Sequence, residues 1–306
     1  MTDRSQTQPN AMTRRMKYFV WRQLALILQC AGLFVATLTA TGQIDPASVA
    51  TEWTPVTFGE KNYPDTAGDQ ASGGGVGDIV GDESHPSFFM RYADGFLGFR
   101  LRLGADQEGS FQGAAFIGLD ANMDGAVDLF LGVNHQGDER TMGLWQPGGK
   151  GDTSPSTTVI SSPVFLGVKE TDANFNFRDV NPKDDPSADF ADLNGDGLKD
   201  QFLTVIFLLG DINKVLDAGG IKGLSEGSTV QLIAATASNE NLLDLDLNGV
   251  KGGLDSEASW SELGAMSQPV TLTPDITVVP EPSIQALLSI AGGLAVLHLR
   301  KRLRRD

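Results

Sequence analysis

Cysteine is nearly missing from this sequence. Of 306 residues only Cys30 carries a thiol, and it lies inside an apolar run from Leu24 to Ala40. Without that run the chain has no thiol, which excludes disulfides, thiolate catalysis and cysteine-ligated zinc together. Histidine is almost as scarce: His85 and His135 are the two outside the flanking segments, too few for a histidine-ligated metal centre. Basic residues are few and unevenly placed. Between Gln43 and Asp275 there are 13 Lys and Arg against 36 Asp and Glu, a net charge of −23, compared with −16 for the whole chain. Such a surface repels nucleic acid and anionic lipid and suits an aqueous exterior rich in divalent cations. The roughly 230 residues between the flanks can bury one large core.

Enzymatic signatures are weak. Gly223-Leu-Ser225-Glu-Gly227 matches the Gly-x-Ser-x-Gly pattern, but a nucleophile elbow needs a strand before it and a helix after it. Here a helical segment precedes and an apolar strand follows. The run Ser72-Gly73-Gly74-Gly75-Val76-Gly77-Asp78 lacks the Gly-Lys-Ser/Thr of a phosphate loop and reads as a surface loop. The acidic residues allow paired carboxylates for glycoside hydrolysis without singling out a pair. No residue is assigned a catalytic role, and the expectation is a non-catalytic protein.

The flanks carry export signals. Arg14, Arg15, Lys17 and Arg22 precede the run Leu24 to Ala40, and Ala40-Thr41-Gly42 offers small residues where a signal peptidase reads. Residues 1–42 are therefore expected to be a signal peptide handled by the Sec translocon and signal peptidase, with cleavage before Gln43. Gln29 stands where a lipoprotein box wants a small residue. At the other end, Val279-Pro280-Glu281-Pro282-Ser283 opens an apolar run to Leu299, followed by Arg300, Lys301, Arg302, Arg304 and Arg305. Residues 283–299 make a helix of about 26 Å, at the lower limit for crossing a bilayer core. The basic cluster at 300–306 stays cytoplasmic by the positive-inside rule. Pro280 and Pro282 keep the preceding segment extended and open to a protease.

This three-part pattern over 276–306 closely resembles the PEP-CTERM sorting signal of bacterial surface proteins. The resemblance implies that a membrane-embedded exosortase cuts near Pro280-Glu281-Pro282. The precursor would sit in the inner membrane of a Gram-negative-type bacterium, and the exported part would pass to the cell surface or to the extracellular, biofilm-type matrix. The other reading is an ordinary single-pass anchor.

Between the flanks, 43–84 is a Gly- and Asp-rich segment and 85–275 reads as one β domain. Ser87–Tyr92 and Leu97–Leu103, separated by Ala93-Asp94-Gly95, read as a hairpin with Phe88, Phe99 and Leu101 on its apolar side. Ala114–Leu119 and Val127–Val133 form the next pair. Further runs lie at Met142–Trp145, Thr157–Val168, Phe202–Leu209, Thr229–Ala235 and Val270–Leu272. Many short strands between turn residues predict a mainly β fold, an antiparallel, jelly-roll-like β-sandwich. One short helix is expected at Asp211–Ala218, capped by Asp211 and stopped by Gly219-Gly220.

The most chemical feature is a repeated loop. Asp120-Ala-Asn122-Met-Asp124-Gly125-Ala-Val-Asp128 places oxygen side chains at positions 1, 3, 5 and 9 around a glycine at 6, and Asp192-Leu-Asn194-Gly-Asp196-Gly197-Leu-Lys-Asp200 repeats it. That spacing lets a tight loop wrap a hard cation, so calcium is the expected cofactor. Neither copy is an EF-hand, because position 12 is Leu131 or Leu203 and an apolar β run follows. They look like the calcium-binding aspartate loops of dockerin, thrombospondin type 3 and integrin-like repeat proteins. A degenerate third copy is Asp244, Asp246 and Asn248 before Gly249. The competing reading is that Asp, Asn and Gly simply make Asx-turns between strands.

The order of these runs is also similar to the sandwich of family-nine carbohydrate-binding modules and DOMON-type domains. That resemblance implies an extracellular domain able to grip exopolysaccharide through exposed aromatics, for which Trp53, Trp145 and Trp260 are the available tryptophans. A polysaccharide-degrading enzyme is the third reading.

Overall fold

A computed structural model describes residues 44–274, apart from 59–64, 72–76, 105–109, 137–139, 149–151, 185–191, 240, 251–253 and 255. The expected signal peptide and sorting segment, with Val279, Pro280, Glu281, Pro282, Arg300 and Arg302, lie outside the described residues. So does the centre of the Gly-rich run. Among the described residues no helix is long and apolar enough to cross a membrane.

The fold is mainly β and is built from two antiparallel sheets. A single 3-10 turn, Ala50–Glu52, leads into β1 (Thr54–Pro55), which pairs with β2 (Phe88–Ala93). β2 turns into β3 (Phe96–Leu103) through Asp94 and Gly95, whose φ values are 49° and 80°. Two left-handed residues in succession are what a two-residue hairpin turn needs. β4 (Ala114–Asp120), β5 (Leu129–Asn134), β6 (Thr141–Trp145) and β7 (Leu166–Val168) form a meander. The chain then crosses back through β8 (Phe175–Asp179) and β9 (Gln201–Leu208) to pair with β3. After helix α1 (Leu209–Ala218) come β10 (Thr229–Ala237), β11 (Asp246–Leu247), helix α2 (Trp260–Leu263) and β12 (Val270–Thr271). The five-stranded sheet runs β1-β2-β3-β9-β8; the seven-stranded one runs β11-β10-β4-β5-β6-β7, with β12 also on β10.

The side-chain period of two assigns every strand an inner and an outer face. Phe88, Leu97, Phe99, Leu101, Leu203 and Val205 face the other sheet, where Ala115, Ile117, Leu119, Leu129, Leu131 and Val133 meet them. Each of the Phe, Leu, Ile and Val side chains among them stabilises the fold by about 1.5–3 kcal/mol. The outer faces are covered as well. Ile44, Ala50 and Trp53 lie over Phe89, Phe202 and Ile206, while Leu243, Leu247, Trp260 and Met266 lie over Phe116, Phe130 and Ile233. Strands covered on both sides read as nearly continuous apolar runs rather than alternating ones, as β4 and β5 do.

Some expected elements differ. α1 begins at Leu209, because β9 feeds straight into it; Leu208 is the N-cap without a side-chain hydrogen bond, and Asp211 sits in the first turn, bonded by Lys214 Nζ at 2.6 Å. Gly220, at φ 78°, ends it as expected. The run Thr157–Val168 yields strand only at β7. Pro163 has no N–H to give a ladder, and Ile160 makes an isolated bridge to Pro147. β1, β8, β11 and α2 were not anticipated, although Ser259 and Glu262 form a reciprocal capping box that the sequence does spell.

Candidate metal centre

The two aspartate loops are built alike, bond for bond. In each, the first carboxylate accepts the N–H groups of positions 4, 5 and 6. On Asp120 these are Met123, Asp124 and Gly125, at 2.6, 3.2 and 2.8 Å. On Asp192 they are Gly195, Asp196 and Gly197, at 2.7, 3.2 and 2.9 Å. The amides of Asn122 and Asn194 donate to Asp124 and Asp196 at 3.0 and 3.1 Å. Position 9 closes the ring: Ala121 N–H donates to Asp128 at 2.8 Å and Leu193 N–H to Asp200 at 3.2 Å. Both loops turn left-handed at position 4 (Met123, φ 64°; Gly195, φ 72°) and at position 6 (Gly125 and Gly197, φ 85°).

Position 9 distinguishes them. Arg102 Nε lies 3.1 Å from Asp200 Oδ2, with both side chains buried. Asp128 has no such cation among the described residues. Burial pushes the Asp128 carboxyl up to about 6, helped by Asp120 and Asp124. Burial also pushes Asp200 to about 6, against the pull of Arg102. The donor set is all hard oxygen, the kind calcium prefers, although neither loop brings three carboxylates within 4.8 Å of one another. The first has the more negative ring.

The third group does not form a loop. Asp246 and Leu247 form the two-residue strand β11 on β10, flanked by the bonds Leu245 N–H to Thr236 O and Asn248 N–H to Ala234 O. Each of the three polar side chains has its own partner. Asp244 accepts the N–H and hydroxyl of Ser238, and Asn248 Oδ1 accepts the Ser87 hydroxyl at 2.5 Å. Asp246 accepts Ile79 N–H at 2.6 Å and Leu247 N–H at 2.8 Å.

Asp246 belongs instead to a cluster with Asp65 and Asp69, whose ligand oxygens all lie within 4.8 Å of one another. Among the described residues no other three carboxylates approach so closely. Burial, then Asp246, drives the Asp65 carboxyl well above its ordinary range. Burial likewise lifts Asp246 to about 7, with Asp69 and Asp78 adding to it. Asp65 and Asp69 escaped the sequence reading because they share no spaced motif with Asp246 and lie far from it in the chain.

The tryptophans form no exposed platform: Trp53, Trp145 and Trp260 are 4%, 0% and 0% exposed, although Trp53 lines a surface cleft with Pro55, Phe89 and Phe202. Trp53 and Trp260 donate their indole N–H to Ser48 Oγ and Asp152 O, and Trp145 stacks edge-on with Phe116. Ser225 bonds to Glu226 and Ser228, in a turn between α1 and β10. His85 pairs with Asp82 at 2.8 Å and His135 with Glu170 at 2.6 Å.

The chain matches no family model, no curated protein and no solved structure. Function therefore has to be argued from its own residues.

Proposed function

We propose that the chain is the precursor of an exported, non-catalytic surface or extracellular-matrix protein, sorted by an exosortase and stabilised by calcium. The observation that carries this reading is the succession Val279-Pro280-Glu281-Pro282, apolar run, Arg300 to Arg305, downstream of a domain with net charge −23. The sandwich is the exposed body. Its acidic surface suits a medium rich in divalent cations, and the paired loops supply oxygen donors for them. Calcium bound there would neutralise carboxylates that otherwise repel one another; Asp120, Asp124 and Asp128 would hold it in the first loop, Asp192 and Asp196 in the second.

Fractionation of host cells tests the sorting step. In the presence of exosortase the protein is expected in the outer surface or matrix fraction, and in its absence in the inner membrane. Equal release from both strains would sink the reading. The sugar-binding alternative loses its tryptophan platform, since all three indoles are inside the fold.

A further inference from the structure

The geometry points to a buried calcium site formed by Asp65, Asp69 and Asp246, separate from the two loops and independent of the sorting reading. Two oxygens bound to one calcium at 2.3–2.6 Å can be no more than about 4.6–5.2 Å apart. The three carboxylates lie within 4.8 Å of one another, inside the span that calcium allows.

A second observation marks the place as a site. Asp65 is 2% exposed; its Oδ1 accepts the Gly249 N–H at 2.7 Å, and its Oδ2 is buried without a hydrogen-bond partner. Neither Asp65 nor Asp246 is ion-paired among the described residues. A buried carboxylate oxygen that lacks a donor and belongs to a cluster of carboxylates is costly to ionise unless a cation joins it. The site is also held in place. Asp246 is fixed by two backbone N–H groups, and Asp78 accepts the Gly68 N–H at 2.8 Å, which shapes the turn between Asp65 and Asp69.

The ion would tie residues 65–71 to the edge of the seven-stranded sheet. The existing ties there include Gly249 N–H to Asp65, Ala71 N–H to Leu245 O at 2.7 Å, Ile79 N–H to Asp246 and the Thr236 hydroxyl to Gly77 O. A bound ion adds a cross-link between the β1–β2 connection and β11.

The test uses the full-length chain in mild detergent, stripped with chelator, re-equilibrated with calcium and counted by elemental mass spectrometry. Asp65→Asn/Asp246→Asn is expected to lose one calcium per chain relative to the parent. Asp124→Asn/Asp196→Asn, which weakens only the loops, is expected to keep that ion. Should the buried double variant fail to fold, Asp69→Asn, at a half-buried position, is expected to weaken the last calcium to bind or to leave by roughly tenfold or more. An unchanged calcium count and affinity in the folded buried-site variants overturns the proposal, whatever the loops bind.

Discussion

At position 4 of the first loop, Met123 holds a left-handed backbone that an L-residue adopts at a cost of roughly 1–2 kcal/mol. The second loop has Gly195 there, and Met123 is exposed, so its side chain has little packing to lose. Met123→Gly is expected to stabilise the protein by up to about 1 kcal/mol, the strain relief being partly offset by glycine's greater unfolded-state entropy. Gly125→Ala, at φ 85°, should cost about 1 kcal/mol or more. Urea midpoints with unchanged slopes would check both, and a stabilised Gly125→Ala would contradict the backbone account. A second residue-scale prediction concerns Asp184. Its carboxylate takes two bonds from Arg178, at 2.6 and 2.7 Å, and the Ala50 N–H at 2.9 Å. Burial alone would raise its pKa, but Arg178 and the backbone donors outweigh burial and hold it below the ordinary range. Asp184→Asn therefore loses a stabilisation that is fully present above about pH 4, the unfolded value, and that fades as pH falls through the lower folded one. The gap in stability between parent and variant should shrink in acid; a gap that stays constant to low pH would show that charge plays no part. Residue types made the loops legible, because Asp, Asn and Gly at fixed offsets dictate the N–H bonding. The ion pair between Arg102 and Asp200 was not legible, since the arginine reaches it from a strand nearly a hundred residues earlier.

The two loops are one element used twice with different surroundings. β5 follows the first and β9 the second, so each aspartate at position 9 stands at a strand entrance, but only Asp200 meets an arginine. Arg102 already neutralises part of the second ring. Asp128→Asn should therefore lower calcium affinity more than Asp200→Asn does, by isothermal titration. Asp200→Asn should instead lower stability, because it weakens the partner of a buried guanidinium. The reverse order of affinities would show that the pair does not distinguish the loops. Hairpins such as β2–β3 and β4–β5 could be read from apolar runs separated by turn residues. β8 could not, because its Phe175 and Phe177 are only half-buried and charged residues follow. β1 and β11 are two residues each, too short for any pattern to announce. Asp244 and Asn248 have a loop-like spelling around Asp246, but Asp246 is held in β11 while its two neighbours bond to Ser238 and Ser87.

Across the whole molecule, the sandwich class follows from the sequence, whereas the coverings of the two sheets do not. Trp53, Trp145 and Trp260 are candidates for a sugar platform in one dimension and core residues in three, because segments distant in sequence close over the outer faces. The resulting body is acidic, doubly covered and furnished with oxygen-lined loops, properties that suit life outside the cell. The proposed export and sorting rest on Val279-Pro280-Glu281-Pro282 and the residues after it. The most direct test is the intact mass of the protein recovered from its host with and without exosortase. The account predicts loss of the mass beyond the Pro280-Glu281-Pro282 region only when exosortase is present. An uncut segment through Arg305 in both strains would contradict it and make the chain a permanent single-pass membrane protein.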